Sequence, residues 1–345
     1  MNQSRDILFL AVAPEGYTSL HRARALGRIG HRVTVINLYD CLPRNIWWRR
    51  FNNYSGGFLS QVWVRPFLRH ALPKKRFDLV WVDHGQNVGP KVIALLRAHA
   101  SKIVNYNNDD PTGKRDGRAW NLFRRAVPHY DLLVTMRKPT ESELLQLGGR
   151  AVLRVRMSFD EVGHRPRELS EQDRARWSSE VVFVGTRMPE RGPFLRRLIE
   201  LGVPLTIVGD NWEKAPELNV LRQAWRGGAV YGDDYAKAIQ CSKIALGLLS
   251  KGNRDLHTQR STEVPALGGL LCAERTSEHL EMFRDGNEAV FWNDAEECAA
   301  ACFALLRDEQ RRARIARAGQ DAAWRRGYGN ESVMKQVLAR LDQTP

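Results

Sequence analysis

The chain has 345 residues, of which 43% are hydrophobic, and it carries a formal net charge of +14 at pH 7. This length exceeds a typical single core and fits two domains, each with enough apolar residues to bury a core. Five widely spaced cysteines, an odd number, exclude a disulfide framework and indicate a reducing compartment. The charge predicts anionic partners such as nucleotide diphosphates, acidic lipid or nucleic acid.

No part of the sequence has the composition of a membrane span, which needs roughly 18 consecutive apolar residues. The apolar stretch at residues 7–13 is too short, and no signal-peptide cleavage pattern follows it. We therefore expect a cytoplasmic protein, with peripheral contact at the inner face of the membrane left open.

The first half of the chain alternates short β-type runs with helical segments. An apolar run at residues 7–13 precedes a helical segment at residues 19–29 and a second strand at residues 32–37. This pattern is typical of buried parallel strands, because helices cover both faces of such a sheet. Later candidate strands occupy residues 79–82, 103–106, 132–135 and 152–155, and helical segments include residues 90–100 and 140–147.

A second alternating series begins after the polar stretch at residues 158–179. Its candidate strands occupy residues 181–185, 205–209, 230–232, 244–248, 270–273 and 289–292, and a helical tail covers residues 308–341. The pattern predicts an α/β protein with two Rossmann-like, doubly wound domains that face each other across a cleft. We assign residues 1–165 and 175–325 to the two domains, and residues 326–345 to a final helix that packs back toward the first domain.

Ligands of doubly wound folds bind at the carboxyl ends of the strands, so the loops there carry the candidate chemistry. The loop after the first strand contains Gly16 and opens a helix, whose free N-terminal amides suit an anion. A plain strand-to-helix turn is the alternative. The loop lacks the full G-x-G-x-x-G pattern, which argues against a dinucleotide cofactor.

The first strand of the second series ends at a segment that suits a phosphate group. Gly185 lies at the strand end, and Arg187 and Arg191 follow it. Arginine suits a diphosphate because its planar fork can bind two oxygens at once. Solvated charges at the start of a helix are the alternative interpretation.

A charged pair, Arg260 and Glu263, precedes a turn at Gly268 and an apolar strand. The carboxylate of Glu263 can accept hydrogen bonds from two vicinal hydroxyls, as on a ribose. It can equally pair with Arg260 across one helical turn.

The order of these segments resembles that of GT-B glycosyltransferases, most closely the spore-protein CgeB-like group and more distantly glycosyltransferase family 4. The run Asp109-Asp110-Pro111 is similar to the Asp-Asp-Pro signature of the CgeB-like group. Residues 291–297 and 314–319 resemble the closing strand and helices of these enzymes. The resemblance covers most of the chain.

The two basic segments also match this family. The segment from Gly185 to Arg191 resembles its Gly-Arg…Lys-Gly phosphate-binding segment, with Arg191 where lysine is usual. Arg260 and Glu263, with the Ala-Leu-Gly-Gly that follows, resemble its Arg-x-x-Glu…Ala-x-Gly segment, whose glutamate binds the donor ribose. Asp255 stands eight positions before Glu263, where family 4 carries a second glutamate, and its shorter reach leaves the sugar contacts open.

The resemblance implies a glycosyltransferase of the hexosyltransferase type. Such an enzyme moves a sugar from a nucleotide-diphosphate donor such as a UDP-sugar, bound by the C-terminal domain, to an acceptor bound by the N-terminal domain. The acceptor classes that it suggests are a cell-envelope glycan, a lipid-linked saccharide or a protein. We expect no metal ion and no cofactor besides the donor itself.

Without a metal, cations must neutralise the leaving diphosphate, and we assign this role to Arg187, Arg191 and Arg260. Glu263 would hold the ribose, and Trp212 either stacks on the base or lies in the core. The other residues expected at the donor are Gly16, Gly185, Tyr231, Gly232, Asp255 and Gly268.

An acceptor hydroxyl needs a general base if the reaction inverts the anomeric centre, and both inversion and retention remain open. The candidate bases are Asp109, Asp110, His84 and His21. Asp110 precedes a proline, which favours an extended backbone there, and simple loop capping is the alternative for both aspartates. His84 ends a candidate strand, where it contacts a ligand or has a structural role.

Residues 44–76 combine positive charge with aromatic side chains and contain no acidic residue. The basic residues are Arg44, Arg49, Arg50, Arg65, Arg69, Lys74, Lys75 and Arg76, with tryptophan, phenylalanine and tyrosine between them. This composition suits docking on an anionic membrane that carries a lipid-linked acceptor. A helical face with buried aromatics and solvated arginines is the alternative.

Three competing functions remain. The charge fits a nucleic-acid-binding protein or a transferase that modifies nucleic acid, although no helix-turn-helix, zinc-finger or RNP-like pattern is present, so we consider nucleic acid a less favoured partner. A sugar-nucleotide epimerase would share the fold. A non-catalytic sugar-nucleotide binder would fit the departure at Asp255.

Overall fold

The computed structural model describes residues 4–11 and 18–344, and the chain divides into two compact units. The N-terminal unit comprises Met1–Arg156, Gly252–Arg254 and Asn330–Pro345, and the C-terminal unit comprises Met157–Lys251 and Asp255–Gly329. Residues 158–165, which the sequence assigns to the first domain, belong to the second unit. The reason is packing, since the ring of Phe159 lies 4.8 Å from that of Trp324 in the second unit.

The N-terminal unit is built on a parallel sheet. Within the described residues it has six strands in the order β2-β1-β3-β4-β5-β6. Ile7 lies opposite Leu79 where β1 pairs with β3, and Phe77 lies opposite Ala100 where β3 pairs with β4. The strands are β1 (Asp6–Ala11), β2 (Arg32–Asn37), β3 (Phe77–Asp83), β4 (Ala100–Tyr106), β5 (Leu132–Thr135) and β6 (Val152–Arg154). Each overlaps a strand predicted from the sequence.

Seven helices in the described part accompany this sheet. They are α1 (Thr18–Arg28), α2 (Ile46–Tyr54), α3 (Gln61–Ala71), α4 (Pro90–Arg97), α5 (Asn121–Ala126), α6 (Lys138–Gln146) and, from the end of the chain, α15 (Asn330–Asp342). Residues 7–11 of β1 are fully buried, which explains why the strand is a continuous apolar run. Phe9, Trp81 and Tyr106 stack across three neighbouring strands, with ring centroids 6.1 and 5.7 Å apart.

The C-terminal unit has a second parallel sheet, with five strands among the described residues in the order β11-β10-β9-β7-β8. The strands are β7 (Ser179–Val184), β8 (Leu205–Val208), β9 (Ser242–Gly247), β10 (Leu271–Glu274) and β11 (Val290–Trp292). The helices are α7 (Glu171–Trp177), α8 (Arg191–Glu200), α9 (Leu218–Leu221), α10 (Gly232–Gln240), α11 (Arg260–Ala266), α12 (Ser277–Met282), α13 (Ala295–Arg307) and α14 (Glu309–Arg325). The predicted α/β fold with two Rossmann-like domains is confirmed.

Two sequence-based elements differ from the structure. The strand predicted at residues 230–232 is absent, because Tyr231 is the N-cap of α10 and Gly232 is its first residue. Instead, Trp225 forms an isolated β-bridge with Ile207 of β8, the edge strand of the sheet. The helical tail is two helices, α14 and α15, separated at Gly327, whose φ of 69° lies in the left-handed region that favours glycine.

The turn after β8 can hold only glycine. Gly209 has a φ of 154°, and a Cβ atom on it would lie 2.0 Å from the carbonyl oxygen of Gly185. The absence of a side chain therefore lets the ends of β7 and β8 approach each other. No helix in the described part of the chain is long and apolar enough to cross a membrane.

Candidate functional site

The strand order of the C-terminal sheet reverses between β7 and β9, and this reversal marks a crevice at their carboxyl ends. In doubly wound sheets ligands bind at such a switch point. The guanidinium group of Arg191 lies there: it donates to the carbonyl oxygen of Thr186, after β7, at 2.9 Å and to that of Leu248, after β9, at 3.1 Å. Arg191 is also the first residue of α8, whose free N-terminal amides attract anions.

Arg191 is a buried cation with no carboxylate partner within salt-bridge distance among the described residues. Its side chain is 8% exposed, and its Nε has no hydrogen-bond partner in the described part of the chain. Burial lowers its pKa to about 10. Glu190 and Asp255 attract this guanidinium without reaching salt-bridge distance. A buried charge that lacks a direct ion pair is costly, so an anion bound at this position would stabilise the site. Arg187, which is half-buried, also has an Nε without a partner among these residues.

A cavity of about 290 Å³ opens beside Arg191, at the carboxyl ends of β9, β10 and β11. Phe194 and Trp292 stack on its wall with ring centroids 4.5 Å apart. Its polar groups are the carboxylates of Glu190, Glu274 and Asp294, the amide of Asn293 and the ammonium of Lys251. An aromatic wall with carboxylates and an amide suits a polar ring that carries hydroxyls, such as a sugar or a nucleoside.

Glu263 lies in a closed cluster rather than at an open surface. Its Oε2 accepts from Arg260 at 2.5 Å and from the Tyr235 hydroxyl at 2.9 Å. Its Oε1 faces Nε2 of His164 at 3.4 Å, and the side chain is 2% exposed. Burial alone would raise the pKa of Glu263, but the charge of Arg260 and the other contacts lower it. The structure thus contains the alternative ion pair, between Arg260 and Glu263 across one helical turn. In this conformation the buried carboxylate of Glu263 is not exposed to a ribose.

Arg260 reaches the same end of β7 as Arg191. Its Nε donates to the carbonyl oxygen of Val184, the last residue of β7, at 3.2 Å, and its guanidinium lies 4.5 Å from the Tyr235 ring centroid. The sequence predicts Arg260 to lie at the donor site, and in the structure Arg260 does lie at the crevice. Tyr235 and His164, which hold Glu263 in place, were missed because neither lies in a recognisable motif.

Trp212 is fully buried in the core of the C-terminal unit, so its ring cannot stack on a base as one of the two interpretations required. Its Nε1 donates to the carbonyl oxygen of Gly185 at 3.0 Å, which fixes the turn after β7. Tyr231 is exposed at the start of α10, beside Gly232.

The remaining donor candidates are less informative. Asp255 is buried, and Gly268, with a φ of 80°, ends α11. Gly16 lies outside the residues that the structure describes.

The N-terminal sheet has its own switch point, between β1 and β3, and His84 lies at the β3 side of it. His84 follows Asp83, whose carboxylate is held by Arg22 of α1 through two hydrogen bonds of 2.7 Å. His84 has a φ of 65°, a conformation that non-glycine residues seldom adopt and that often accompanies function. His21, another candidate base, is partly buried on α1, one residue before Arg22.

His84 and Asp109 form a pair. Nε2 of His84 lies 3.0 Å from Oδ2 of Asp109, and the imidazole packs on Trp120 with ring centroids 4.8 Å apart. Burial alone would raise the pKa of Asp109, but the hydrogen bond and charge of His84 and nearby guanidinium groups hold it well below its usual range. Asp109 is therefore ionised and can accept a hydrogen bond from Nε2–H. Nδ1 of His84 is buried and has no hydrogen-bond partner among the described residues.

Asp110 is a structural carboxylate, which corrects its assignment as a candidate base. Arg254 donates to both of its oxygens, at 2.6 and 2.8 Å, and Thr140 and the Gly113 amide donate to Oδ1. Burial alone would raise the pKa of Asp110, but the bonds from Arg254 and Thr140 lower it. A carboxylate so fully bound is a poor proton acceptor. The sequence could not reveal the partner, because Arg254 is 144 positions away.

Three thiols lie together in the C-terminal unit although their spacing in the sequence suggested no ligand set. The sulfur atoms of Cys272, Cys298 and Cys302 all lie within 4.8 Å of one another, and all three residues are buried. Hydrogen bonding to the neighbouring thiols and burial raise the pKa of Cys272. In this apolar core the thiols pack as small hydrophobic side chains.

The comparisons with known proteins agree with this geometry. A family model described as glycosyl transferase-like matches residues 191–339, which begin at Arg191 and include Arg260 and Glu263. No curated protein matches the chain by sequence.

Solved structures match almost the whole chain at low identity. Anabaena HepE in complex with UDP-glucose has a TM-score of 0.67 and 16% identity, and the match covers 98% of this chain and 100% of HepE. Sucrose-phosphate synthase from Thermosynechococcus elongatus has a TM-score of 0.70 and 11% identity over 99% and 100% of the two chains. A Listeria monocytogenes protein assigned as a UDP-N-acetylglucosamine 2-epimerase has a TM-score of 0.56 and 13% identity over 99% and 98%. These likenesses show that the chain has the GT-B fold.

Proposed function

We propose that the chain is a glycosyltransferase that takes a sugar from a nucleoside-diphosphate donor bound at the β7–β9 crevice of the C-terminal unit. The observation that carries this proposal is Arg191, a buried guanidinium that lies at the switch point and forms no salt bridge with a carboxylate of the described residues. A diphosphate would place further negative charge beside this guanidinium and can bond to the amides that begin α8. The glycosyl transferase-like family match over residues 191–339 supports the same assignment.

The neighbouring cavity gives the donor a second contact. Its volume of about 290 Å³ and its aromatic and carboxylate lining suit the sugar or the nucleoside of the donor. HepE was solved in complex with UDP-glucose, and by analogy we propose a UDP-sugar as the first donor to test. Kinship with the CgeB-like group rests on the sequence motifs and stays a prediction.

We propose that the leaving diphosphate needs no metal ion. Glycosyl transfer places negative charge on the departing phosphate, and cations held before the reaction stabilise it best. The guanidinium groups of Arg191 and Arg260 contact carbonyl oxygens at the end of β7, although Arg260 also pairs with Glu263. Arg187 follows the same strand, and we propose that it adds a third cation. We propose accordingly that no cofactor other than the donor is required.

For the acceptor we propose His84 as the general base and Asp109 as the residue that orients it. The carboxylate fixes the imidazole through Nε2 and stabilises the imidazolium that forms when Nδ1 takes the proton of the acceptor hydroxyl. Because Nδ1 is buried in this conformation, the side chains around it must move before the acceptor hydroxyl reaches it. A base of this kind suits a single displacement, in which the acceptor oxygen attacks the anomeric carbon while the diphosphate departs. We therefore propose that the reaction inverts the anomeric configuration.

The donor site is tested by thermal unfolding of the wild-type protein with UDP, GDP, TDP, CMP and ADP, with and without EDTA. A nucleotide at a hundred times its Kd should stabilise the native state by about 2.7 kcal/mol and raise Tm, with no effect of EDTA. Arg191→Gln should lose the shift. Arg196→Gln removes an exposed charge from the same helix and should keep it.

The outcomes separate the competing functions. No shift with any nucleotide, in folded protein, would overturn the donor site and favour the nucleic-acid reading. A shift that requires a divalent metal would overturn only the metal-free mechanism. A shift followed by conversion of UDP-N-acetylglucosamine to an epimer would favour the epimerase, and binding without any turnover would favour a non-catalytic binder.

The base is tested by following the release of diphosphate from the sugar nucleotide that binds. His84→Gln should lower kcat by about 10²–10⁴-fold. The nucleotide-induced shift in Tm should persist, because His84 lies in the other unit. His99→Gln, which replaces a half-buried histidine of the same unit, is the control and should retain the wild-type rate. Equal rates in His84→Gln and His99→Gln would overturn the role of His84.

A further inference from the structure

The segment at residues 44–71, which includes α2 and α3, exposes large apolar side chains to solvent. The described part of the chain exposes fifteen large hydrophobic side chains, and seven of them lie between residues 46 and 63. These seven include the four most exposed, namely Trp47 at 63%, Phe51 at 62%, Tyr54 at 76% and Val62 at 64%. A monomeric protein seldom concentrates apolar surface in this way unless something covers it.

The exposed rings share one face of α2. Trp47, Phe51 and Tyr54 are spaced by four and three positions, which places them on the same side of a helix. Trp48 and Trp63 meet edge to face, with ring centroids 5.8 Å apart, and so join α2 to α3. We call the exposed side chains of these two joined helices the arginine–aromatic surface.

Positive charge is interleaved with these rings. Arg49, Arg50 and Arg69 are exposed, and the guanidinium of Arg50 lies 5.4 Å from the centroid of the Trp47 ring. Arg118, from the segment before α5, lies 6.0 Å from the Tyr54 ring and adds to the charge. No acidic residue occurs between Asp40 and Asp78.

We propose that the arginine–aromatic surface docks the protein on an anionic phospholipid bilayer. Tryptophan, tyrosine and phenylalanine partition into the interfacial region, while arginine binds the phosphate and carboxylate groups of the lipid headgroups. Exposed aliphatic side chains, Ile46 and Val62, need an apolar phase and cannot stack on bases, which disfavours single-stranded nucleic acid as the occupant. A second copy of the chain would bring like charges together, which disfavours a dimer through this surface.

Docking has a consequence for the substrate, and this consequence rests on the proposed function. An enzyme whose acceptor-binding unit lies on a bilayer meets acceptors that are anchored in lipid. The arginine–aromatic surface and the proposed base His84 belong to the same N-terminal unit. The acceptor class that follows is a lipid-linked saccharide or a glycolipid.

The proposal is tested by flotation of the wild-type protein with vesicles of phosphatidylcholine, alone or in an equal mixture with phosphatidylglycerol, at physiological ionic strength. We expect flotation with the anionic vesicles and little with the neutral ones. Arg49→Gln/Arg50→Gln should lower the partition coefficient about 30-fold, from about 1 kcal/mol per basic residue. Trp47→Ser/Phe51→Ser should lower it about 10²-fold, from about 1.5 kcal/mol for each large apolar side chain.

Matched controls keep the test specific. Arg314→Gln/Arg317→Gln removes the same charge from exposed positions of α14, and Leu280→Ser removes an exposed apolar side chain of α12; both should float like the wild type. Equal losses in these controls would overturn the assignment of the surface.

Three other outcomes would overturn the docking itself. These are failure of the wild type to float, displacement of the protein by single-stranded oligonucleotide, and a dimer that Trp47→Ser/Phe51→Ser converts to monomer. The nucleotide-induced Tm shift, measured on the same samples, reports the donor site separately, so the two proposals can fail independently.

Discussion

Arg254 is the residue on which the loop after β4 depends most. Its guanidinium binds Asp110, whose side chain is almost fully buried, and Glu143, which is about one-third exposed. Removing one partner of a buried pair leaves an uncompensated charge, so Arg254→Gln should lower the free energy of unfolding by about 3 kcal/mol. Urea unfolding measures this change.

The control for this prediction is Glu143→Gln. It breaks the more exposed half of the same network and should cost under about 1 kcal/mol. Residue 254 has a φ of 55°, which is unfavourable for arginine and for glutamine alike. Backbone strain is therefore the same in the wild type and in Arg254→Gln. Equal losses in the two variants would mean that Asp110 does not need its counter-charge.

His164 should make stability depend on pH. Burial, which outweighs the charge of Glu263, lowers its pKa below the ordinary value of 6.5. Below pH 6.5 the unfolded chain therefore binds a proton that the native state does not. The contribution of neutral His164 to the free energy of unfolding is thus fully present above pH 6.5 and is lost as the pH falls below it.

The measurement compares urea unfolding at pH 7.5 and 5.5. The wild type should lose about 1 kcal/mol more than His164→Asn over this range, from 1.4 kcal/mol for one proton per pH unit. The asparagine oxygen can still accept the bond that Asp160 N–H donates to Nδ1 at 2.8 Å. His70→Asn, at an exposed histidine, should keep the wild-type pH dependence, and an equal change there would exclude His164 as the source.

At the scale of elements, α15 completes the N-terminal unit from the far end of the sequence. It contacts α1, and its buried side chains include Val333, Met334 and Val337. Met334→Ala leaves a cavity and should lower the free energy of unfolding by about 2–5 kcal/mol, the usual range for truncating a buried methionine. Arg5→Gln breaks only the exposed pair with Asp342 and should cost under about 1 kcal/mol. Equal costs would show that surface ion pairs, rather than packing, hold α15.

The sequence predicts elements better than it predicts partners, for a physical reason. Strands such as β1 are buried on both faces, so their apolar runs are visible without a structure. Arg254 pairs with Asp110, which lies 144 positions away in the sequence. Cys272 of β10 lies next to Cys302 of α13. Sequence spacing alone does not predict such contacts. Trp212 illustrates the same limit, because its place in a loop did not reveal that the ring is buried.

One glycine decides where the last helix of the chain begins. The sequence assigns residues 326–345 to a final helix, and in the structure Gly327 takes a positive φ and separates α14 from α15. That break also changes the unit, since α14 belongs to the C-terminal unit and α15 to the N-terminal one.

At the scale of the whole molecule, each unit has its own core and its own candidate site. Hydrogen exchange can therefore report where the nucleotide binds. With a saturating diphosphate, the amides of residues 185–192 and 248–251 should exchange more slowly, because these segments border the crevice around Arg191. At a hundred times Kd the opening free energy should rise by about 2.7 kcal/mol.

The same experiment should leave the N-terminal sheet unchanged, including residues 79–84. Arg191→Gln should show no protection at either crevice segment, while Arg196→Gln should match the wild type. Protection confined to residues 84–116 would place the nucleotide on the His84–Asp109 pair. The anion would then bind at the switch point of the first sheet, and the roles of donor and acceptor that we give to the two units would be reversed.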